Sequence, residues 1–498
     1  MKLSQILSQV KTDFKTSLSQ SKLDSIIVDD IALDSRLVKK NSIFFALSGK
    51  SKDGLEFAAS AITNGANVVI AEVGKINSAQ FNLIESTNPL ALLVEFLQIF
   101  YAPLPANIYA ITGTNGKTST AEFTRQILQF LGKKSASIGT LGIICETNIE
   151  DHLQQSSLTT SDIVSTYKNL HILKKYDVDD VAIEVSSIGL DQSRVAGLKI
   201  AVGAFTNFTQ DHLDYHKSMA EYFRCKMLLF SRYLPNKAVA VLNSDLAEFS
   251  QIKKICQERD ISILEYGFKA AHLRLKKIVQ SNLGQKVFFQ FQEKDYYFEL
   301  QVSGDFQAFN ALCALGNILA KNNLSASELE NLLKNFSLLL PALGRMQRVA
   351  TLPNQAQIFI DFAHTPDALK NVLQLARQIT KKRVIILFGC GGNRDAQKRS
   401  IMGKIASELA DLIIITDDNP RFEDANLIRQ EILKSCDHKK TIEIADRKTA
   451  IEKTIAMLEG EDVLILAGKG HEKYQIIAEK KFEFDEEKIV RNVVNSSS

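Results

Sequence analysis

Paired cysteines, long apolar runs and an excess of one charge are all missing from this sequence of 498 residues. Its six cysteines include no C-x-x-C pair, which in a chain of this length indicates reduced, cytosolic thiols. No run approaches the roughly 18 apolar residues of a membrane span, and the first residues contain no apolar stretch typical of a secretory signal. The 60 basic and 57 acidic residues give a net charge of +3, which argues against bulk binding to nucleic acid or membranes. We therefore expect a cytoplasmic protein with no nucleic-acid partner and no membrane insertion.

The composition predicts several ordinary globular domains. Apolar residues make up 45% of the chain and charged residues 23%, the usual globular mix, and domains of about 100–200 residues predict two to four of them. Pro103 and Pro105 precede a new apolar strand, and Pro341 with Gly344 follows a helical stretch, so both places are predicted junctions. We predict three domains, over residues 1–104, 105–342 and 343–498.

Apolar runs that alternate with helical patterns predict parallel sheets covered on both faces, and hence an α/β fold. Almost every run is followed at once by polar or Gly-rich residues, and open α/β sheets bind ligands beyond the carboxyl ends of their strands. Merely polar loops are the alternative, which six such loops together disfavour. The runs are Ile108–Thr112, Val181–Val185, Ala201–Thr206, Arg383–Phe388, Leu412–Thr416 and Val463–Ala467.

A Gly-rich segment, 113–118, follows the first of these strands and precedes a helical pattern. This order predicts a phosphate-binding loop, because backbone N–H groups and a helix N-terminus attract phosphate oxygens. Lys117 would neutralise the β- and γ-phosphates of a nucleotide, and the Thr118 hydroxyl would bind Mg²⁺. Ile111 stands where the strict Walker spacing requires the first glycine, so a chance turn is the alternative to a nucleotide site.

Two acidic segments at strand ends are candidate metal ligands. Glu184 lies in an otherwise apolar strand, where a buried carboxylate needs a partner, either a metal ion or a salt bridge. Asp211 and His212 follow another strand and stand among further carboxylates, which favours a site over a structural histidine.

Together these motifs resemble those of the Mur ligase family over the whole chain. The matching segments are Thr112–Thr118, Glu184–Ser187, Thr206-Asn207, Asp211–Asp214 and Lys226 in the centre, Leu33–Arg36, Phe45–Leu47 and Asp53-Gly54 before it, and Asp361–Pro366 and Gly389–Asp395 after it. The resemblance implies a three-domain α/β protein. A central ATP-binding domain with a P-loop-type, mostly parallel sheet would be flanked by an N-terminal uridine-binding domain and a C-terminal Rossmann-like domain that binds the amino acid.

The family implies an ATP-dependent amide ligase of peptidoglycan precursor synthesis. We also expect a monomer. ATP would phosphorylate the side-chain carboxylate of UDP-N-acetylmuramoyl-L-alanyl-D-glutamate, and the amine of a diamino acid would attack the acyl phosphate. Phosphorylation gives a poor electrophile a good leaving group, while Mg²⁺ and cationic donors stabilise the negative charge.

The resemblance also implies roles for residues around the ATP. Lys117, Lys226, His212 and Glu184 would be catalytic; Thr118, Glu184, His212 and a carbamylated Lys226 would hold Mg²⁺. A solvated surface lysine is the alternative for Lys226. The residues implied in ATP binding are Gly113, Thr114, Asn115, Gly116, Lys117, Thr118, Ser119, Asn310, Arg345 and Asp361.

The remaining matches concern the other two substrates. The UDP-muramoyl dipeptide would contact Leu33, Ser35, Lys50, Ser51, Lys52, Thr159, Thr160, Ser186, Gln192 and Arg194. Diaminopimelate would contact Arg394, Asp418, Asn419, Pro420, Arg421, Gly468 and Glu472. Thr159 and Thr160 have an alternative as caps of the following helix.

The segment Asp418–Arg421 resembles the signature of members that add meso-2,6-diaminopimelate, because Arg421 can pair bidentately with the extra carboxylate of that amino acid. A turn is the alternative, since Asn-Pro favours turns. One departure from the family is Ile188, which stands where a histidine is common.

Three other functions remain as alternatives. A lysine-adding member would lack the arginine, and a folylpolyglutamate synthetase-like ligase would lack a first domain like that around Asp34-Ser35-Arg36. A nucleotide-hydrolysing switch needs only the phosphate loop and leaves Asp418–Arg421 and Gly468–Glu472 unexplained.

Overall fold

The protein is described by a computed structural model that covers residues 1–49, 53–76, 81–147, 149–156, 158–281 and 284–496. The bounds of its elements follow in chain order. Residues 1–106 contain α1 (Leu3–Leu7), β1 (Lys15–Thr16), α2 (Gln20–Ser25), β2 (Asp30–Ala32), β3 (Ser42–Phe45), α3 (Ala58–Thr63), β4 (Ala66–Glu72), β5 (Leu83–Ser86) and α4 (Pro89–Phe100).

Residues 107–334 contain most of the remaining strands. They are β6 (Asn107–Thr112), α5 (Lys117–Phe130), β7 (Ser135–Gly139), β8 (Gly142–Cys145), α6 (Ile163–Lys175), β9 (Asp180–Glu184), α7 (Ser187–Asp191), β10 (Ile200–Phe205), α8 (Leu213–His216), α9 (Met219–Leu228), β11 (Val239–Asn243), α10 (Phe249–Glu258), β12 (Ser262–Gly267), β13 (Leu273–Ser281), β14 (Gly284–Phe291), β15 (Lys294–Leu300), α11 (Asp305–Leu319) and α12 (Ala326–Lys334).

Residues 347–496 repeat the alternation of strand and helix. They contain β16 (Gln347–Thr351), β17 (Gln357–Asp361), α13 (Pro366–Ile379), β18 (Val384–Phe388), α14 (Gln397–Leu409), β19 (Leu412–Ile415), α15 (Ala425–Leu433), β20 (Thr441–Glu443), α16 (Arg447–Ala456), β21 (Val463–Ala467), β22 (Tyr474–Ile477), β23 (Lys480–Glu483) and α17 (Glu486–Ser496). No helix among the described residues is long and apolar enough to cross a membrane.

The chain divides into two compact units. The smaller holds residues 1–106, 147–179 and 192–199, and the larger holds 107–146, 180–191 and 200–498. The smaller unit therefore collects two stretches from the middle of the chain. The units do not follow the three predicted ranges one for one, and the boundaries of the three domains stay a prediction.

Three main sheets organise the described residues, and the predicted α/β class is confirmed. The smaller unit has the strand order β1-β5-β4-β3-β2. The larger unit has one sheet of order β15-β14-β13-β12-β11-β10-β6-β9-β7-β8 and a second of order β16-β17-β21-β18-β19-β20. Their central strands run parallel, and β6, β9, β10, β18 and β21 consist almost entirely of buried residues, as strands covered on both faces require.

Helix starts match local chemistry in the sequence. Thr365 caps α13 through a bond from the Ala368 N–H, and Pro366 occupies the first turn, where its missing donor costs nothing. Asp162 caps α6, so the alternative reading of Thr159 and Thr160 as caps of that helix is wrong. The antiparallel ribbon β13–β15 was not predicted; its alternating burial places one face on the core of the larger unit.

Candidate active site

Residues 113–116 form a turn between β6 and α5, and Lys117 and Thr118 begin the helix, as predicted. The turn is fixed from the end of β10: the Thr206 hydroxyl donates to the Asn115 carbonyl at 2.6 Å, and the Asn115 N–H donates to Asn207 Oδ1 at 2.8 Å. Gly116 has φ +82, and a Cβ there would overlap the Asn310 amide, so only glycine fits. The turn therefore presents the N-terminus of α5, including buried Ser119, as an anion-binding end.

Lys117 folds back over its own loop. Its Nζ donates to the carbonyls of Gly113 at 3.0 Å and Thr114 at 2.7 Å. Burial lowers the pKa of the Lys117 ammonium, although Glu184 and Asp211 oppose that shift. The cation thus stands beside the loop that is predicted to hold phosphates.

Lys226 is buried in α9, and the alternative reading as a solvated surface lysine is wrong. Its Nζ donates to the Gly113 carbonyl at 2.7 Å and lies 4.4 Å from the centre of the Tyr222 ring. Burial, together with the nearby charge of Lys117, pushes the pKa of Lys226 well below its ordinary value. The lowered pKa increases the neutral fraction of the Lys226 amine, and the neutral amine is the form that reacts with carbon dioxide.

Glu184 is the last residue of β9 and is 2% exposed. Its carboxylate accepts the Thr140 N–H at 2.8 Å and the Thr140 hydroxyl at 3.1 Å. Burial raises the pKa of Glu184, while Lys117 opposes the rise and a hydrogen bond from Thr118 does the same. The hydroxyl of Thr118 and the carboxylate of Glu184 are therefore neighbours.

Asp211 and His212 stand at the start of α8, close to His364 and Lys398 of the C-terminal region. His212 has φ +55, and burial lowers its pKa to about 3, which keeps the ring neutral. Asp211 Oδ2 lies 3.4 Å from His212 Nε2 and 3.8 Å from His364 Nε2, and Asp211 Oδ1 lies 3.9 Å from Lys398 Nζ. The pKa of Asp211 falls well below its usual range, because these neighbours outweigh its burial.

The Thr118 hydroxyl and the Glu184 carboxylate form a donor set that fits Mg²⁺. A hydroxyl and a carboxylate are the hard oxygen ligands that Mg²⁺ prefers, and it keeps several waters rather than demanding a full protein cage. The described residues contain no group of three or more His, Cys, Asp or Glu side chains spaced to hold a metal by themselves. Lys226 could join the set only as a carbamate, since its ammonium repels a cation.

One residue of the C-terminal region, Arg345, reaches the phosphate loop, and Asp361 lies beside it. Arg345 Nη2 donates to the Thr118 hydroxyl at 3.1 Å, and its guanidinium lies 4.6 Å from the centre of the Phe362 ring. Asp361, at the end of β17, accepts the N–H groups of Met346 at 2.6 Å and Ala363 at 2.7 Å. Burial raises the pKa of Asp361, and Arg345 opposes the rise.

Asn310 lies in α11 next to the loop, where the Thr120 hydroxyl reaches Asn310 Oδ1 at 3.5 Å. The C-terminal region touches the loop a second time through Asn115, whose Nδ2 donates to Asp367 Oδ2 at 3.0 Å. The structure thus brings together all the residues predicted for ATP and metal.

A second cluster lies beyond β19 and β21, in the loops 417–421 and 468–472. The Asn419 amide donates to Glu472 Oε2 at 2.9 Å, and Lys469 donates to Asn419 Oδ1 at 3.0 Å. Gly468 has φ +110, and a Cβ there would lie 2.7 Å from the carboxylate of Asp418. The two predicted loops therefore form one surface. Pro420 lies buried within it.

Arg421 and Arg394 bring positive charge to that surface. Arg421 is half-buried with φ +52, and its Nη1 donates to the carbonyls of Gly392 at 2.9 Å and Asn419 at 3.4 Å. Burial lowers the pKa of Arg421, and the charge of exposed Arg394 lowers it further. Burial also raises the pKa of Glu472, with Asp418 adding to the rise.

Several residues predicted for the sugar nucleotide lie in the smaller unit. Arg194 donates to the Thr160 carbonyl at 2.6 Å and to Gln192 Oε1 at 2.6 Å, so these three form one cluster, with half-buried Thr159 adjacent in sequence. Half-buried Leu33 precedes a 3₁₀ turn, Ser35–Leu37. Ser186 belongs to the larger unit, where its hydroxyl accepts the Gly189 N–H at 3.0 Å. Lys50, Ser51 and Lys52 lie outside the described residues.

Some residues of the site were missed from the sequence. Tyr222 donates to the Thr114 hydroxyl at 3.2 Å and supports Lys226, and its spacing of one helical turn from Lys226 is the signal that could have found it. Lys398 gave no signal, because only folding brings α14 to Asp211. Ile188, the expected departure from the family pattern, is half-buried on the short α7.

Comparison with known families gives three consecutive matches. They are the Mur ligase family catalytic domain over residues 28–101, the Mur ligase middle domain over 111–318, and the Mur ligase glutamate ligase domain over 344–470. A curated protein of Rickettsia bellii strain RML369-C, named UDP-N-acetylmuramoyl-L-alanyl-D-glutamate--2,6-diaminopimelate ligase, is 41% identical over 466 residues, 93% of this chain and 95% of the relative. The chain belongs to the Mur ligase family.

Other relatives of this Mur ligase extend the same result. A protein of the same name from Chelativorans sp. strain BNC1 is 40% identical over 477 residues, 96% of this chain and 97% of its own. A solved structure with that name has a TM-score of 0.67 and 28% identity, and the match covers 100% of this chain and 99% of the other. A MurF ligase from Thermotoga maritima, solved in complex with ADP, is 17% identical with a TM-score of 0.63, covers 95% and 98% of the two chains, and shows the shared fold.

Proposed function

We propose that this Mur ligase uses ATP to join meso-2,6-diaminopimelate to UDP-N-acetylmuramoyl-L-alanyl-D-glutamate. Relatives near 40% identity over nearly the whole chain carry that name. The observation that carries the choice of amino acid is the loop pair 417–421 and 468–472, which places the Arg421 guanidinium and the Glu472 carboxylate on one surface, beyond ion-pair distance of each other. A carboxylate with an adjacent ammonium would complement these charges, and lysine would leave Arg421 without an anion.

The proposed reaction has two steps. An oxygen of the substrate carboxylate forms a bond to the γ-phosphorus of ATP while the bond to ADP breaks. The amine of diaminopimelate, after losing a proton, then attacks the acyl carbon, and the bond to phosphate breaks as the amide forms. Mg²⁺, when bound, would neutralise phosphate charge during the first step.

The residues of the chain would act mainly by position and charge. Lys117 would leave its loop carbonyls to reach the β- and γ-phosphates, and the N–H groups at the start of α5 would hold the phosphate oxygens. Thr118 and Glu184, which are neighbours, would hold the metal, with neutral His212 and carbamylated Lys226 as further ligands. Arg345 would follow the transferred phosphoryl group from the C-terminal region.

The proposal extends to the smaller unit and to the setting. The cluster of Thr160, Gln192 and Arg194 would hold the muramoyl peptide, since the planar guanidinium suits a carboxylate or phosphate. The uridine would lie by Leu33 and Ser35. A cytoplasmic location accords with six cysteines that form no disulfide. The monomeric state stays a prediction.

The test is a defined incubation of the purified protein with ATP, Mg²⁺, the UDP-muramoyl dipeptide and diaminopimelate. Mass spectrometry follows the tripeptide product, and a coupled assay follows ADP. Each substrate is omitted in turn and diaminopimelate is exchanged for lysine. ADP and product should form in equal amounts, only with all three substrates, and with diaminopimelate preferred. Preference for lysine would contradict the Arg421 argument, and no product with either amino acid would contradict the ligase assignment.

A matched pair of variants ties the activity to the phosphate loop. Lys117→Met removes the phosphate-facing cation, and Lys254→Met removes an exposed lysine of α10 whose side chain is 76% accessible. Turnover should disappear in the first variant and persist in the second. A contaminating ligase would leave both preparations active.

A further inference from the structure

Arg447 is a fully buried arginine that none of the predicted roles uses. It is the first residue of α16 and is 1% exposed. Its Nε donates to Glu486 Oε1 at 2.8 Å, and Glu486, in the first turn of α17, is 2% exposed. The pair therefore lies inside the C-terminal region with no access to solvent.

The rest of the Arg447 guanidinium reaches two strand ends. Nη2 donates to the Ala467 carbonyl at 2.8 Å, at the end of β21, and Nη1 reaches the Asp417 carbonyl at 3.4 Å, just beyond β19. The next residues in the chain are Gly468 and Asp418. One rigid, planar guanidinium thus hydrogen-bonds at the start of both loops, 417–421 and 468–472, which form the surface predicted to bind the amino acid.

The charge of Arg447 also reaches that surface. Burial tends to raise the pKa of Asp418, but the cations of Lys469 and Arg447 outweigh it and hold the pKa below its usual value. The ionised Asp418 carboxylate faces Gly468 across the seam between the loops. Arg447 therefore contacts the start of both loops and favours the ionised form of a residue predicted to bind the amino acid.

Stability alone explains the Arg447–Glu486 pair poorly. Buried ion pairs often add little, because the loss of hydration offsets their attraction. Among the described residues, Glu486 Oε2 is a buried oxygen without a hydrogen-bond partner. An apolar pair would avoid that cost, but it would supply no fork-shaped donor for two carbonyls.

We propose that Arg447, held by Glu486, is a positioning residue that sets the separation of the loops 417–421 and 468–472 and so the affinity for the incoming diamino acid. This rests on the proposed function. The two loops contribute Arg421 from one side and Glu472 from the other. Their spacing has to match the distance between the carboxylate and the ammonium of one ligand.

The same region offers a matched control in Arg383 and Asp462. Arg383 donates to Asp462 Oδ2 at 2.6 Å and to the Met457 carbonyl at 2.9 Å, and the Asp462 side chain is 1% exposed. This pair lies at the opposite ends of β18 and β21, before their first residues. Disrupting it perturbs an ion pair with a buried carboxylate in the same sheet but leaves the substrate loops alone.

The experiment compares four variants with the wild-type protein: Arg447→Lys, Arg447→Met, the double variant Arg447→Met with Glu486→Gln, and the control Arg383→Met with Asp462→Asn. The double variant removes the carboxylate that would otherwise be buried without its partner. KM is measured separately for diaminopimelate, ATP and the UDP-muramoyl dipeptide, with kcat and the melting temperature for each protein.

KM for diaminopimelate should rise roughly tenfold or more in both Arg447→Met proteins, as expected for the loss of a charged hydrogen bond. KM for the other two substrates should stay near the wild-type values. Arg447→Lys keeps the positive charge but not the planar guanidinium that bonds to both carbonyls. Its KM for diaminopimelate should lie between those of wild type and Arg447→Met. The control should lower the melting temperature and leave all three KM values unchanged.

Two results would overturn the proposal. A wild-type KM for diaminopimelate in the double variant would show that Arg447 has only a structural role. An equal rise in the control would show that any weakening of the sheet affects the loops. Absence of product from the wild-type protein with diaminopimelate would instead defeat the proposed function, so the two failures are distinguishable.

Discussion

Replacing Arg421 by methionine should weaken the use of diaminopimelate while sparing the rest of the catalytic machinery. Among the described residues, no carboxylate lies within 4.0 Å of the Arg421 guanidinium, whose Nη1 bonds only to carbonyls. The neighbouring Arg394 adds repulsion, which burial strengthens. The guanidinium is therefore a partly dehydrated cation that gains from a ligand carboxylate.

The size of the effect follows from the hydrogen bonds that methionine cannot make. Hydrogen bonds to charged groups contribute about 1.5–3 kcal/mol, and about 1.4 kcal/mol is a tenfold change, so kcat/KM for diaminopimelate should fall roughly 10- to 150-fold. Lysine lacks the second carboxylate, so its kcat/KM should hardly change. Methionine has the length of arginine up to the guanidinium, and both residues tolerate φ +52 equally poorly, so backbone strain stays the same.

The assay measures kcat/KM for both amino acids at saturating ATP and UDP-muramoyl dipeptide. Arg377→Met is the control, because Arg377 is a partly exposed arginine that pairs with Asp411 away from the loops. Equal losses with diaminopimelate and lysine would refute the assignment of Arg421 to the extra carboxylate. A higher KM for ATP alone would indicate instead that Arg421 helps to close the ATP site.

Three further predictions concern other parts of the larger unit. Lys226→Met should abolish turnover without lowering the melting temperature of the ligand-free protein, because it removes a buried amino group. In the wild-type protein, depletion of carbon dioxide should reduce activity and bicarbonate should restore it. Unchanged activity after depletion would contradict carbamylation. His471 has a pKa lowered from 6.5 to about 4 by burial and by Arg345, so the unfolded state binds its proton first and the free energy of unfolding should fall as pH drops from about 6.5 to 4. Urea titrations should therefore show a smaller loss over that range in His471→Gln, and an equal loss would contradict the burial of a neutral ring. Glu184→Gln should lower kcat far more than it raises KM for ATP if the carboxylate holds the metal in the transition state, and steady-state kinetics at several Mg²⁺ concentrations would check this.

Local patterns in the sequence were enough to place the parallel strands and the loops at their carboxyl ends. Val/Ile runs indicate strands with both faces covered, and the turn after each run lies at a predictable edge of a sheet. That is why Lys117, Glu184 and Arg421 could be named in advance. Glu184 was expected inside its strand and is its final residue, which is what directs its carboxylate toward the loop.

Contacts made only by folding could not be predicted. Nothing near Lys398 in the sequence reveals that α14 places it beside Asp211, nor that Arg447 binds carbonyls twenty or more residues away. The ribbon β13–β15 was missed because its alternating pattern is weaker than the continuous runs around it. The assignment of 147–179 and 192–199 to the smaller unit is likewise a property of packing, with no compositional break to mark it.

The charges around the phosphate loop explain why Lys117 and Arg345 converge there. Both have a pKa lowered mainly by burial, and among the described residues the Lys117 ammonium hydrogen-bonds only to loop carbonyls. Such an arrangement opposes folding, since the loss of hydration lowers the pKa of both groups although Glu184, Asp211 and Asp361 lie nearby. It becomes favourable when a triphosphate supplies the missing negative charge. Binding of the triphosphate thus offsets the electrostatic cost of burying these cations. Because Arg345 is one of them, nucleotide binding is linked to the Arg345–Thr118 contact that joins the C-terminal region to the loop.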